Sequence, residues 1–198
     1  MIGSRFFGLF LLCFVLYGCP PAERTGAAMK QFRANHFDFF DLKRNYFEGI
    51  YLDLPTALIS NYNTSHLYKN NGLSLSNHEM GVYFSVEKFT KSEAEGFRFP
   101  MDEGVSYLDA VHTFYTEKRA KSLEYLARSI KTDLPQGSKF PGSMEVMYGR
   151  KYDGDADLKY MIATVEKGNS WYVVQLISNA EMSAYLLDDF NAIIKSIR

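Results

Sequence analysis

The residues able to do acid–base, nucleophilic or metal chemistry are few in this chain and poorly spaced for it. Its four histidines, His36, His66, His78 and His112, stand far apart. No pair has the H-x-x-x-H spacing that brings two imidazoles to one ion, and no cysteine completes a zinc site. They read as surface or core histidines rather than ligands. Asp153-Gly154-Asp155-Ala156-Asp157 begins like a calcium loop, because alternate carboxylates can converge on one hard cation. Counted from Asp153, an EF-hand needs glycine sixth and glutamate twelfth, where this chain has Leu158 and Thr164. A hairpin turn accounts for Asp153, Asp155 and Asp157, with a weak calcium contact as the alternative. There is no G-x-S-x-G, no phosphate-binding glycine loop and no serine beside an identifiable base. The expectation is a chain with no catalytic residue, no metal and no cofactor.

One concentration of charge remains. Lys118, Arg119, Lys121, Arg128 and Lys131 fall on what the spacing predicts to be a single helix, and give it a basic side. Lys118, Lys121 and Arg128 are the candidate contact residues, for an acidic partner or an anionic headgroup; a solvated helix face is the plainer reading and the one favoured. Across the whole chain 22 basic residues meet 23 acidic ones. That balance gives no electrostatic case for nucleic acid.

Cys19 carries the other kind of information. It closes Leu16-Tyr17-Gly18-Cys19 behind an apolar run from Phe6 to Tyr17 that opens with Arg5. The run is shorter than the roughly 20 apolar residues a spanning helix needs, but fits the apolar region of a secretory leader. The arrangement resembles a bacterial lipoprotein signal. The resemblance implies cleavage after Gly18, acylation of Cys19 and loss of residues 1–18. Cys13 follows Leu12 rather than a small residue, and Gly26-Ala27-Ala28 lies too far behind the run for an ordinary secretory cut. Tyr17 is bulkier than a lipobox usually holds, so an uncleaved anchor or another cut is the alternative. Pro20, rather than an aspartate, follows the cysteine; by resemblance to enterobacterial lipoproteins this points to the outer membrane. With Cys13 removed and Cys19 acylated, neither a disulfide nor a free thiolate remains.

Elements must then position what is left. Residues 19–45 read as a proline-bearing tether followed by a helical stripe of Met29, Phe32, His36, Phe39 and Phe40. That stripe packs over the domain or is offered to a partner or membrane surface. Residues 46–198 read as a single domain. Ile50, Leu52 and Leu54 alternate as a half-buried strand before Pro55, and Val82, Phe84 and Val86 repeat the pattern. Asn71-Gly72 predicts a hairpin joining 64–69 to 73–77. Ser106 with Asp109 opens a helix on which Leu108, Val111, Tyr115, Leu123, Leu126, Ala127 and Ile130 hold their period to Pro135. A three-strand meander over 143–152, 157–166 and 170–178 follows. A last helix, capped by Ser178 and Glu181, buries Met182, Leu186, Phe190, Ile193 and Ile197.

The strand Phe47-Glu48-Gly49-Ile50-Tyr51-Leu52-Asp53-Leu54-Pro55, the central helix, the meander and the closing Ile193-Ile194-Lys195-Ser196-Ile197 resemble the PsbP-like group over about 46–198. The resemblance implies an α+β fold, an antiparallel sheet with helices packed on it as an α/β/α sandwich, and a non-catalytic binding or assembly role. Anchor and absent chemistry together give a lipid-anchored envelope protein acting on a protein partner. The alternative is a carrier of an apolar or aromatic small ligand, held by Tyr and Phe side chains.

Overall fold

The computed structural model describes residues 42–60, 72–77, 81–96, 104–153, 155–180 and 183–198. Leu42–Arg198 is one compact unit and carries the fold. The leader, Cys19, the helix expected over 29–42, His36, His66, His78 and the strand expected at 64–69 lie outside the described residues.

Strand β1 (Leu42–Phe47) pairs antiparallel with β2 (Ile50–Pro55) as a separate two-stranded hairpin. Its two-residue loop, Glu48-Gly49, has both φ angles positive, 38° and 107°, as the primed turns of tight hairpins require. The remaining strands make one antiparallel sheet. In chain order they are β3 (Ile59–Ser60), β4 (Gly72–Asn77), β5 (Val82–Thr90), β6 (Tyr125–Asp133), β7 (Gly142–Arg150), β8 (Leu158–Lys167) and β9 (Ser170–Asn179), and across the sheet they run β3-β4-β5-β9-β8-β7-β6. Helices α1 (Lys91–Gly96) and α2 (Tyr107–Lys121) follow β5, and α3 (Ser183–Ser196) follows β9.

Pleating sorts the side chains between two faces. Trp171 and Val173 of β9 join Ile162, Met147 and Phe89 in a core closed by Val111 and Tyr115 of α2. Their neighbours Tyr172, Val174 and Leu176 point the other way and are equally buried. That side is covered by α3, through Leu186, Phe190 and Ile193, with Ile197 just beyond its end, and Ile50, Leu52 and Leu54 of the hairpin strand that packs on α3 are buried too. Strands β8 and β9 read as near-continuous buried runs because both faces are covered. The result is the expected antiparallel sheet between helical layers.

The hairpin is tied to the end of the chain. Tyr51 and Arg198 exchange backbone hydrogen bonds of 3.0 Å in both directions, and the Asp53 amide donates to Ser196 Oγ at 2.8 Å.

Three expectations are corrected. The long central helix stops at Lys121: Ser122 caps it, its backbone amide and hydroxyl bonded to the carbonyl of Arg119, and the chain re-enters the sheet as β6. Leu126, Ala127, Arg128, Ile130 and Lys131 are therefore strand residues. Ser178 caps no helix; it is a buried residue of β9, and α3 begins at Ser183. The fold opens at Leu42 rather than 46, with a strand where tether was expected.

Candidate functional site

His112 is the one histidine among the described residues. Helix α2 holds it in place: Ser106 accepts from the Asp109 amide at 3.1 Å and donates to its carboxylate at 2.7 Å, fixing the first turn. One turn on, His112 points into the core with 1% of its surface exposed. Its Nδ1 lies 2.9 Å from Thr164 Oγ1 of β8. Its Nε2 lies 3.5 Å from Glu145 Oε2 of β7, too poorly aligned to count as a hydrogen bond. Burial pushes the imidazole pKa down to about 4, against the opposing pull of Glu145, and Lys131 adds to the depression. The ring is neutral at pH 7. The tautomer suiting both neighbours carries its proton on Nε2, toward the carboxylate, and accepts from Thr164.

Ser129 of β6 donates to the other Glu145 oxygen. Serine, carboxylate and imidazole thus lie in the order Ser129, Glu145, His112, with the acid in the middle. A base that activates a nucleophile must touch the nucleophile itself. Here it does not, and the ring is closed off from any substrate. The arrangement ties β6 and β7 to α2 and β8.

The basic residues do not form one surface. Arg119 folds onto the sheet, where Nε and Nη2 donate to Gln175 Oε1 at 3.2 and 2.8 Å and the guanidinium lies 5.3 Å from the centre of the Tyr160 ring. Burial raises the Tyr160 pKa, Arg119 opposing it. Lys118 and Lys121 are exposed near the end of α2, Lys121 within 3.5 Å of Glu117. Lys131 reaches Asp109 at 3.4 Å near the start of the same helix. Arg128 is paired with Tyr148, whose neighbour Met147 faces α2, so Arg128 belongs to the opposite side of the sheet. Lys118 and Lys121 are therefore not part of a common face with Arg128.

What the helical reading of this segment concealed is β6 itself. Among the described residues it has one strand neighbour, β7, and ends the sheet. Every residue from Tyr125 to Asp133 except Ile130 is exposed. A bulge interrupts the pairing between Leu126 and Arg128, and Gly149 of β7 lets the strands approach, since a Cβ there would meet the Tyr125 carbonyl oxygen at 2.4 Å. The Arg150 guanidinium lies 4.4 Å from the centre of the Tyr125 ring.

Asp153 and Asp155 serve the turn they were first assigned to. The Asp155 carboxylate accepts from the Tyr152 amide at 3.2 Å, while Asp153 faces Arg150 at 3.5 Å. Among the described residues no group of histidine, cysteine or acidic side chains is gathered as an ion site. An open groove of about 370 Å³ lies between the hairpin and β4, floored by Leu54, Leu58 and Leu75 with Lys43, Asn45 and Thr56 around it.

No protein-family model matches the chain, and no curated protein matches its sequence. Solved structures resemble its fold. A point variant of protein Mog1 superposes with a TM-score of 0.50 at 9% identity, covering 80% of this chain and 96% of that one. The Saccharomyces cerevisiae Ran-binding protein Mog1p gives 0.49 at 9%, covering 79% and 94%. A Bacteroides thetaiotaomicron protein gives 0.48 at 9% with 80% of this chain covered; the chain spans about half the length of that protein, 48%. At this identity the likeness is one of fold, an α/β sandwich.

Proposed function

We propose that this is a non-catalytic binding or assembly protein of the cell envelope, held to a membrane, in our reading the outer membrane, by acylated Cys19, and that it meets a protein partner along β6. The observation that carries the contact surface is that β6 is nine residues long, ends the sheet among the described residues and is exposed on both faces. An open edge presents unpaired backbone donors and acceptors, which an extended segment of another protein can satisfy as an added strand. The buried, neutral state of His112 supports a contact role over a catalytic one.

A photo-crosslinking side chain at Thr132 of β6 should capture an envelope protein in intact cells, and one at the exposed Tyr83 of β5 should not. Equal capture, or capture only from Tyr83, overturns the assignment to β6. Arg128→Glu should weaken the crosslink, whereas Lys118→Glu with Lys121→Glu should leave it unchanged, because those lysines lie in the layer on the other side of the sheet. Hydrolysis or group transfer by the purified protein, lost in His112→Gln, would overturn the non-catalytic reading.

The groove beside Leu54, Leu58 and Leu75 favours a second reading, carriage of a small apolar ligand, since its volume is in the lower part of the range of ligand sites. Saturable binding of an environment-sensitive aromatic dye, abolished by Leu58→Glu, would support it.

A further inference from the structure

The outward face of the β1–β2 hairpin has no use in the contact just described. Leu42, Arg44 and Tyr46 share that face on β1, and register places Asp53 and Tyr51 opposite them on β2. The inward face belongs to Ile50, Leu52 and Leu54 and is buried. Leu42, Tyr46 and Tyr51 are 42, 63 and 47% exposed, and the two tyrosine rings are 5.1 Å apart. Arg44 and Asp53 neutralise one another across the strands at 3.0 Å.

Two cations meet one acid, the exposed Glu48, at the tip. Lys88 Nζ donates to the Glu48 carbonyl at 3.0 Å and Lys167 Nζ donates to the Gly49 carbonyl at 2.8 Å, so two ammonium groups reach the turn on long apolar stems. Tyr172 also donates to Glu48, at 2.9 Å. Rings with a polar end and ammoniums on flexible stems are the side chains that settle at a membrane–water boundary, where the ring or stem meets acyl chains and the polar end meets headgroups.

We infer that the outward face of this hairpin rests on the bilayer surface, with Tyr46 and Tyr51 at headgroup depth and Lys88 and Lys167 near lipid phosphates. The inference rests on the anchor reading above. What selects a bilayer over a second copy or a protein partner is position in the chain. β1 is the first described strand after Cys19, and Leu42 follows that cysteine by 23 residues, so the hairpin is the described element nearest to the lipid along the chain. Contact here also leaves β6, at the edge of a different sheet, available to a partner.

The test uses the full-length acylated protein reconstituted in phosphatidylcholine–phosphatidylglycerol vesicles, with Tyr46→Trp in one sample and Tyr125→Trp in another. Trp171 is 4% exposed and common to both. Phosphatidylcholine brominated close to the headgroup should quench the Tyr46→Trp protein several-fold more than the Tyr125→Trp protein. Equal quenching, or no quenching at position 46 in protein whose mass shows acylated Cys19, overturns the docking while leaving the anchor intact. A blue shift at position 46 without quenching assigns the face to protein contact, and overturns it as well. An unmodified mass with protein in the soluble fraction removes the anchor, and the docking inference with it.

Discussion

Inside the core at neutral pH, the His112 imidazole is uncharged, and taking a proton there places a cation beside Thr164, where Glu145 at 3.5 Å and Asp109 favour it less than burial opposes it. In the unfolded chain the same ring titrates near 6.5, and in the fold near 4. A depressed cationic pKa means the unfolded state takes up the proton first, so stability is full above about pH 6.5 and falls as pH drops toward 4. A shift of that size corresponds to about 3 kcal/mol, a good part of the 5–15 kcal/mol available to an ordinary domain. Denaturant midpoints measured from pH 7 to pH 4 should fall for the wild type beyond what its carboxylates explain, and His112→Gln should lose that component of the fall. Identical pH profiles would show that the ring is not the group responsible. The isolation of His112 in the sequence pointed to a surface or core position, and the ring lies in the core. Its partners were not legible: Thr164 and Glu145 lie 52 and 33 residues away, and strand pairing, not local spacing, brings them to the ring.

Local pattern served the elements unevenly, and burial explains where. Strand β2, the meander and the last helix each bury one defined face or more, and their periods were readable; in α3, Phe190 and Ile193 are 0 and 3% exposed. Phe190→Ala should cost about 3–5 kcal/mol. Asp189 is half-buried and Asp188 exposed, so Asp188 is the control, and Asp188→Ala should stay within about 0.5 kcal/mol in the same denaturant melt. Similar losses from both would mean the helix is turned the other way. β6 failed because a strand exposed on both faces has no reason to alternate. Leu123, Leu126, Ala127 and Ile130 fell by chance at helical intervals, and the true stop, Ser122, is neither glycine nor proline. Its register leaves a different trace, in the glycine opposite. Gly149→Ala would drive a methyl into the Tyr125 carbonyl and should cost about 1–3 kcal/mol, with hydrogen exchange rising first in β6. Uniformly faster exchange across the sheet would contradict that local account.

For the whole molecule, the layer order was legible because the chain has enough apolar and aromatic side chains to cover a sheet twice, and their runs mark the central strands. The proposed attachment to a membrane rests on one residue. Cys19→Ala should move the protein from the membrane to the soluble fraction or stall its processing, and unchanged fractionation and migration would refute lipidation. The bonds joining Tyr51 to Arg198, and Asp53 to Ser196 across 143 residues, also impose an order in time. A chain made or threaded from its N-terminus presents Ile50, Leu52 and Leu54 long before the helix that covers them has emerged. Until then the hairpin has nothing to close against, since two strands alone are marginal in water. Completion waits on the last turn of α3, so the chain stays open while it is being made and, for the same interval, depends on whatever shields its first apolar strand.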